Sequence, residues 1–314
     1  MIIITGQTAT GKTDLAIKLA QKYNGELVNF DSRQIYKYLD IITGKDLREI
    51  SNIKYQISNI LNIGYYLINN ENQIKIWLYD IVYPNEYFSS FEYVKIAEKV
   101  IDDIQKRGKT PILVGGTYFY LKHLLYGFDY QVPPDFKLRE KLNQKSVSEL
   151  QQIIKKLDPE IEQKMNQSDW LNLRRLIRRI EILKAKTKIP IFFTPWDVFH
   201  KSEKGTHLSK KKLISSFIGL KHKNKSNLYQ AIKTRVEKRL KQGAVEEVEK
   251  ILKMGYKKTD PGLQTIGYKQ IIDYLEGKIT KEKAIENWIT AEIHYAKRQY
   301  TFMKKDKNIK WKNI

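Results

Sequence analysis

The chain has 314 residues, 41% of them hydrophobic, which is enough for one large domain or two modest ones with a buried core. It has no cysteine, which excludes disulfides, thiolate zinc sites and a cysteine nucleophile. No apolar run approaches the ~20 residues that span a bilayer, and the amino terminus has no signal or transit peptide pattern. We therefore expect a soluble, cytoplasmic protein without a membrane partner. The net charge of +22 is compatible with a nucleic acid ligand, and also with lysines that are simply solvated.

The first segment, MIIITGQTATGKT, predicts a polyphosphate site. Residues 1–5 form an apolar strand pattern, residues 6–13 read G-x-x-x-x-G-K-T, and residues 14–20 have the apolar spacing of a helix. In this context, successive backbone N–H groups surround an anion at the positive end of the helix dipole. Lys12 is expected to reach the outer phosphate, and the Thr13 hydroxyl to ligate Mg²⁺. The residues of this phosphate-binding loop are Gly6, Gln7, Thr8, Ala9, Thr10, Gly11, Lys12 and Thr13.

Strand and helix patterns alternate along the chain and predict an α/β fold. Further strands are expected at residues 26–30, 111–114 and 213–220. Because the carboxyl ends of parallel strands share one edge of a sheet, Asp31 and residues 115–117 should lie beside the phosphate-binding loop. The predicted fold class is a P-loop NTPase-like parallel sheet flanked by helices, with an inserted α-helical subdomain.

Two regions interrupt this alternation. Residues 54–82 have the pattern of an added β-hairpin or meander around a polar turn at residues 69–72. Strand signals vanish over residues 133–207, where the clearest helix is expected at residues 169–184, and residues 227–303 are predicted to be mostly helical. The predicted domains are a P-loop catalytic core of residues 1–132 and 208–314 and a helical insertion of residues 133–207.

Asp31 and the segment that follows it, residues 31–45, are candidates for binding a second ligand. Asp31 can hold Mg²⁺ through water or accept a proton from a nucleophile, but it can also cap the short segment that begins at Ser32. Gln34 suits the N6 and N7 edge of adenine, and Tyr36 can stack on an extruded base. A plain surface loop would contain the same residues.

An arginine-rich helix is the third candidate site. Its arginines share one side of the helix, next to an apolar stripe, and their planar forks suit phosphate groups. Pairing with Glu181 is the alternative, although one carboxylate cannot neutralise all of them. These arginines are Arg174, Arg175, Arg178 and Arg179.

Arg235 and Arg239 lie one helical turn apart after the last predicted strand. An arginine that enters the phosphate site from a second helix would stabilise the charge of a leaving group. Surface salt bridges to Glu237 or Glu246 explain the spacing equally well. The five histidines have no metal-ligand spacing and are predicted to be structural.

Six motifs in this order resemble the tRNA dimethylallyltransferase (tRNA isopentenyltransferase) family: GQTATGKT, DSRQIYKYLDI, VGGTYFYLKHLLYG, LRRLIRRIE, LQTIGYKQ and AKRQYTF. The resemblance implies a prenyltransferase that moves the dimethylallyl group from dimethylallyl diphosphate to N6 of the adenosine beside the tRNA anticodon, with Mg²⁺. It implies that the phosphate-binding loop holds the diphosphate leaving group, that Asp31 orients the nucleophile and takes its proton, and that Arg235 points at the diphosphate. We expect a monomer that binds the anticodon stem-loop.

The resemblance also assigns tRNA contacts to residues of several elements. They are Asp31, Ser32, Arg33, Gln34, Thr117, Arg139, Arg174, Arg175, Arg178, Gln264, Gly267, Tyr268 and Lys269. The chain departs from the family pattern at three places. IITGKD follows Asp40 where the family usually has Gly-Thr-Ala-Lys-Pro, residues 49–78 are longer and more strand-like, and Arg174 stands where the family commonly has Gln.

Three other functions remain open at this stage. An adenylate isopentenyltransferase acting on free AMP or ATP would share the phosphate chemistry but would have little use for an arginine-rich insertion. A P-loop kinase or NTPase would turn over ATP without a prenyl donor. A non-catalytic nucleic-acid-binding module would use the loop only as a structural anion site.

Overall fold

The computed structural model describes residues 1–45, 53–58, 61–68, 74–128, 132–185 and 214–314. The chain divides into two compact units, the first comprising Met1–Leu125 and His200–Ile314, and the second comprising Tyr126–Phe199. The first unit contains the β-sheet, and the described part of the second unit is helical. Among the described residues, no helix combines the length and apolar character needed to cross a bilayer.

The first unit is built on a sheet with the strand order β3-β4-β5-β2-β6-β1-β7-β8. All pairings from β5 through β8 are parallel, which confirms the predicted parallel sheet, whereas β3 and β4 extend it in antiparallel fashion. This antiparallel extension confirms the predicted meander, but its turn at residues 69–72 lies outside the described residues. The strands are β1 (Ile2–Gly6), β2 (Gly25–Asn29), β3 (Ile53–Ile57), β4 (Gly64–Ile68), β5 (Ile74–Trp77), β6 (Thr110–Val114), β7 (Ser216–Lys221) and β8 (Lys310–Asn313).

The central strands are buried on both faces, as expected for a parallel sheet covered by helices. Every residue of β1 is buried, and its Ile3 lies between Leu113 of β6 and Phe217 of β7 in the sheet register. Ala16 and Ala20 of the first helix pack against one face of this sheet in the same apolar cluster as Ile2 and Ile4. The small side chains of these alanines let the helix approach the sheet closely.

The helices of the first unit include the phosphate-loop helix and a carboxyl-terminal group, which confirms the mostly helical prediction for residues 227–303. The carboxyl-terminal helices share a second apolar core with the segment of residues 31–45, because Ile35, Leu39 and Trp288 are all fully buried there. The helices are α1 (Lys12–Lys22), α2 (Ser90–Lys106), α3 (Tyr118–Tyr126), α9 (Lys225–Lys241), α10 (Ala244–Lys253), α11 (Tyr268–Leu275) and α12 (Lys281–Met303).

The second unit has its own apolar core, formed largely by two amphipathic helices. The prediction of a single helix over residues 169–184 is wrong, because one helix ends at Trp170 and another begins at Leu173. The Asn172 side chain accepts the Arg175 N–H and caps this second helix. The helices of this unit are α4 (Phe136–Asn143), α5 (Val147–Leu157), α6 (Ile161–Lys164), α7 (Gln167–Trp170) and α8 (Leu173–Lys184).

Glu98 of α2 provides a test of the packing, because its Oε1 is buried with no hydrogen-bond partner among the described residues. Burial raises the pKa of Glu98 from 4.5 to about 7. The folded state therefore binds the proton more tightly than the unfolded chain, so the charged form reduces stability progressively between pH 4.5 and about 7.

We therefore expect Glu98→Gln to raise the unfolding free energy by about 1–2 kcal/mol at pH 8, after allowing for partial exposure, and by little at pH 4.5. Urea denaturation at the two pH values measures this difference. The exposed Glu237 gives a matched control, since Glu237→Gln should show no such gain. An equal effect of Glu98→Gln at both pH values would contradict the prediction.

Candidate active site

The phosphate-binding loop follows β1 with the backbone geometry of an anion cradle. Gly6 has a φ of +136°, and a Cβ atom on it would lie 2.0 Å from the carbonyl oxygen of Leu220. Gly11 has a φ of +69° at the N-cap of α1. Both positions require glycine, because an L side chain disfavours these conformations and Gly6 has no space for one. The loop therefore turns sharply and delivers its N–H groups to the start of α1.

The loop's own side chains hold it in this shape, partly through backbone groups outside the loop. Gln7 donates to the Ala296 carbonyl oxygen at 3.3 Å and accepts from the backbone N–H of His222 at 2.9 Å. Thr10 and Lys12 both donate to the Gln7 carbonyl oxygen, at 2.8 and 2.6 Å. The loop is thus preorganised by contacts with the end of β7 and with α12.

Lys12 lies in a site that disfavours its charge. Burial and the neighbouring Arg235 lower the pKa of Lys12 to about 7, and Asp31 and Glu292 only partly oppose this shift. An anion in the loop would favour the charged ammonium. The loop is therefore electrostatically prepared for a ligand with several negative charges.

Arg235 points at the loop from α9, and its Nη1 donates to the Thr8 hydroxyl at 2.7 Å. Arg239, one turn later, is buried and pairs with Glu292 of α12 at 3.0 Å. Gly44 packs against both guanidinium groups, since a Cβ on it would lie 2.2 Å from a nitrogen of each. Arg235 therefore faces the phosphate site, and Arg239 forms an internal ion pair.

Asp31 follows β2 at the edge of the sheet that carries the loop. Its Oδ1 accepts the backbone N–H of Arg33 at 3.0 Å, and its backbone N–H donates to Asn29 at 3.0 Å. Its Oδ2 lies 3.4 Å from the position of a Cβ on Gly116. One carboxylate oxygen thus caps the turn that begins at Ser32, which was the alternative role predicted for Asp31. The residue also lines the cavity beside the loop.

A cavity of about 840 Å³ joins these groups within the first unit. Its wall includes the phosphate-binding loop, Asp31, Arg33 and Arg235, together with Gln264 and residues of α12. This volume is at the upper end of ligand sites and is large enough for two small reactants. The structure therefore brings the predicted phosphate site and the predicted acceptor site into one space.

Gln299 of α12 is a site residue to which the sequence reasoning gave no role. Its Oε1 accepts the Thr8 N–H at 2.9 Å, and its Nε2 donates to the Gly116 carbonyl oxygen at 3.0 Å. It therefore links the phosphate-binding loop to the strand end beside Asp31. The AKRQYTF motif contained this residue, and the buried face of α12 repeats at helical spacing through Ala296, Gln299 and Met303.

Thr117 and Tyr295 extend this arrangement on the acceptor side. Thr117 accepts the backbone N–H of Ser32 at 3.0 Å and donates to the Ser32 hydroxyl at 3.1 Å. Burial, followed by the charge of Asp31, raises the pKa of Tyr295, whose hydroxyl hydrogen-bonds Thr117. Tyr295 therefore remains protonated as a hydrogen-bonding group at the cavity wall.

The segment of residues 31–45 is not a plain surface loop. The prediction that Tyr36 stacks on a base is wrong, because Tyr36 is only 4% exposed. Gln34 donates to the Gly44 carbonyl oxygen at 2.8 Å, and the buried Lys45 pairs with Asp40 at 2.7 Å and with Asp80. These internal contacts fix the position of the cavity wall.

The LQTIGYK element has residues that line the cavity and residues that pack in the core behind it. Gln264 and Lys269 are exposed, whereas Tyr268 is fully buried and donates to Glu247 at 2.5 Å. Glu247 also accepts the backbone N–H groups of three successive residues, 40–42. Tyr268 thus supports the element from the core, which differs from the direct ligand contact expected from the resemblance.

In the second unit, the arginine-rich helix is partly neutralised internally. Glu181 is buried and accepts from Arg139 at 2.7 Å and from Arg178 at 3.0 Å. Burial opposes ionisation of Glu181, but the arginines and the Asp135 N–H outweigh it and lower its pKa. Arg174 and Arg175 are exposed, and Arg175 pairs with Asp169. The expected alternative, pairing with Glu181, thus accounts for Arg178 but not for Arg174.

The charge state of Lys12 predicts how anion binding depends on pH. Because the bound anion raises the pKa of Lys12 above its value of about 7 in the free protein, binding above pH 7 takes up a proton. Affinity for inorganic diphosphate should therefore fall with rising pH by up to about tenfold per pH unit relative to Lys12→Arg, whose charge does not titrate in this range.

Calorimetry in metal-free buffer from pH 6.5 to 9 measures this ratio. The ionisation of diphosphate itself is common to both proteins and cancels. A ratio that stays constant across this range would contradict the prediction.

Comparison with known proteins identifies relatives over nearly the whole chain. The model of a protein family described as IPP transferase matches residues 67–306. Proteins named tRNA dimethylallyltransferase from Caldanaerobacter subterraneus subsp. tengcongensis and Carboxydothermus hydrogenoformans are each 37% identical to this chain. The two alignments cover 99% of the chain and 90% and 91% of the respective relatives.

Solved structures give the same result for the fold. A tRNA isopentenylpyrophosphate transferase from Bacillus halodurans has a TM-score of 0.63 and 29% identity, with coverage of 99% of this chain and 89% of the other. A eukaryotic dimethylallyltransferase acting on tRNA has a TM-score of 0.68 at 24% identity, with coverage of 100% and 73%. These likenesses confirm the predicted P-loop NTPase-like fold class.

Proposed function

Because the chain belongs to the IPP transferase family, we propose that it is a tRNA dimethylallyltransferase acting on N6 of the adenosine beside the anticodon, with dimethylallyl diphosphate as donor. The observation that carries this proposal is the shared cavity, in which the anion cradle and the Asp31 carboxylate face one space. A kinase would need the cradle for a transferred phosphoryl group. Here the cradle holds the group that departs.

The donor half of the reaction rests on the phosphate-binding loop. Its backbone N–H groups, Lys12 and Arg235 bind the diphosphate and stabilise the negative charge that grows on it as the allylic C–O bond breaks. Arg235 is already directed at the loop through its 2.7 Å hydrogen bond to Thr8. Gln299 fixes the loop relative to the acceptor side through Thr8 and Gly116.

The acceptor half rests on Asp31. In the proposed step, adenine N6 forms a bond to C1 of the dimethylallyl group, the C1–O bond electrons leave with diphosphate, and an N6 proton passes to the Asp31 carboxylate. Oδ1 is held by the Arg33 N–H, so Oδ2 is the oxygen available to the nucleophile. Such a positioned proton acceptor contributes about 10²–10⁴-fold in rate.

Thr13 is the residue that would hold Mg²⁺, through its hydroxyl. No cluster of three or more potential metal-binding side chains of His, Cys, Asp or Glu occurs in the described ranges. Mg²⁺ in such sites takes much of its coordination from substrate phosphates and water, and Thr13 lines the cavity. Mg²⁺ bound there would neutralise diphosphate charge.

The tRNA contacts proposed for the second unit are best carried by its exposed arginines. Arg174 is exposed and makes no ion pair among the described residues, whereas Arg139 and Arg178 hold the buried Glu181. We assign phosphate binding to Arg174 and Arg175. Arg139 and Arg178 then hold Glu181 and so support α8, the helix that carries Arg174 and Arg175. The proposed tRNA contacts of Ser32, Arg33, Gln34, Thr117, Gln264 and Lys269 lie in the first unit.

Asp31→Asn tests the proposed proton acceptor. Asparagine keeps an oxygen that can accept the Arg33 N–H but cannot take up the proton, so we expect a fall in turnover of at least about 100-fold. Incubation with unmodified tRNA and dimethylallyl diphosphate, followed by nucleoside mass spectrometry, measures N6-isopentenyladenosine. Affinities for tRNA and for inorganic diphosphate should stay within about twofold of wild type.

Each alternative outcome of this assay is informative. A wild-type protein that modifies AMP but no tRNA would be an adenylate isopentenyltransferase. Turnover of ATP without a prenyl donor would indicate an NTPase. Equal loss of turnover and tRNA affinity in Asp31→Asn would assign Asp31 to binding rather than to proton transfer.

Arg174→Gln and Arg178→Gln separate phosphate binding from support. Arg174→Gln should flatten the slope of log affinity for tRNA against log salt by about one phosphate contact, without changing stability. Arg178→Gln should lower unfolding free energy by about 1–3 kcal/mol, because Glu181 loses a charged partner. Salt titrations and urea denaturation measure the two effects. An unchanged salt slope for Arg174→Gln would indicate that this helix is an ordinary solvated surface that does not bind tRNA phosphates.

A further inference from the structure

Three tyrosines form an aromatic surface on the first unit, which we name the tyrosine platform. It consists of Tyr38, Tyr83 and Tyr256. The Tyr38 ring lies 6.1 Å from the Tyr83 ring and 6.2 Å from the Tyr256 ring, centroid to centroid. Tyr38 is 39% exposed and Tyr83 is 41% exposed, so both rings present apolar surface to solvent.

The backbone at Tyr38 is unfavourable for a tyrosine. Tyr38 has a φ of +69°, in the left-handed region that favours glycine. Its side chain does not fill the core in return, since more than a third of it is exposed. A strained residue that holds an aromatic ring at the surface indicates a functional use for the ring.

The tyrosine platform lies on segments that are linked to residues of the cavity wall. Lys37 donates its backbone N–H to the Val82 carbonyl oxygen at 2.8 Å, which joins the Tyr38 segment to the Tyr83 segment. Arg33, which lines the cavity, donates to the Pro261 carbonyl oxygen at 3.3 Å. Tyr38 thus belongs to the same segment, residues 31–45, as the cavity-lining Arg33, and Arg33 also contacts the segment that follows Tyr256.

Lysines adjoin the tyrosine platform. Lys37 Nζ lies 3.9 Å from the Tyr83 ring centroid, and Lys257 is exposed. Two carboxylates also lie nearby, and each accepts a backbone N–H: Glu86 accepts that of Tyr83, and Asp260 accepts that of Lys257. Aromatic faces interleaved with cations are typical of surfaces that bind single-stranded nucleic acid.

We propose that the tyrosine platform stacks bases of the single-stranded tRNA loop that flank the modified nucleotide. This inference rests on the proposed function and adds the surface that holds the loop while one nucleotide enters the cavity. Tyr38 stacks on a base, and the Lys37 ammonium contacts the adjoining phosphate. Stacking tolerates any base, so the platform contributes affinity for the loop rather than sequence selection.

Tyr38→Gly tests this proposal, because glycine removes the ring and also relieves the backbone strain. We expect unchanged or higher thermal stability and about 5- to 100-fold weaker binding of an anticodon stem-loop RNA, the loss of one stacked base. Tyr38→Phe keeps the ring and should bind as wild type. Fluorescence anisotropy with labelled RNA, at several salt concentrations, measures the affinities.

Salt dependence distinguishes stacking from charge. Tyr38→Gly should leave the slope of log affinity against log salt unchanged, whereas Lys37→Gln should reduce it by about one contact. Affinity for inorganic diphosphate should be unchanged in every variant. Wild-type RNA affinity in both Tyr38→Gly and Tyr83→Leu would overturn the proposal, as would equal losses in Tyr38→Gly and Tyr38→Phe.

The outcomes also separate this inference from the proposed function. If the wild-type protein modifies tRNA and the platform variants bind RNA normally, only the inference fails. If the wild-type protein neither binds nor modifies tRNA, both fail. Capture of a protein partner that depends on Tyr38, with RNA binding unaffected, would assign the surface to protein recognition and overturn the proposal.

Discussion

Parallel pairing of β1 with β6 and of β6 with β2 is the constraint on which the site depends. It places three strand ends at one edge, and the segments that leave them carry the anion cradle, Asp31 and Thr117. Backbone hydrogen bonds extend this order past the strands, because Gln7 N donates to Leu220 and Gly115 N donates to Ile4. The anion cradle, Asp31 and Thr117, which come from three separate segments, thus lie at the same edge of the sheet.

A second layer of buried or half-buried polar side chains fixes the walls around this edge. Lys45, Glu247 and Glu292 each accept or donate several hydrogen bonds or ion pairs inside the first unit. Burial of such groups is costly unless they are fully paired, so each pairing specifies one arrangement of its segment. The irregular segment of residues 31–45 gains a defined shape in this way, although it forms neither a helix nor a strand.

The sequence predicts features that are determined locally. The cradle is formed by eight consecutive residues, and the strands and helices follow from apolar periodicity. The parallel sheet, and the edge at which its strands end beside the cradle, were therefore predictable. The helix start at Leu173 was missed, since an asparagine cap interrupts a continuous apolar pattern. Tyr36 was predicted to face a ligand but is buried, because an irregular segment has no periodicity that separates buried from exposed residues. Gln299 makes its bonds 183 and 291 residues away, and no local pattern encodes such pairs.

The position of Gln299 has a consequence for how the site keeps its shape. Its amide oxygen accepts the Thr8 N–H of the cradle, and its amide nitrogen donates to the Gly116 carbonyl oxygen near Asp31. Because the amide group is planar, these two contacts together fix the spacing between the cradle and the segment that follows β6. A single side chain thus braces two parts of the site that belong to distant segments of the chain.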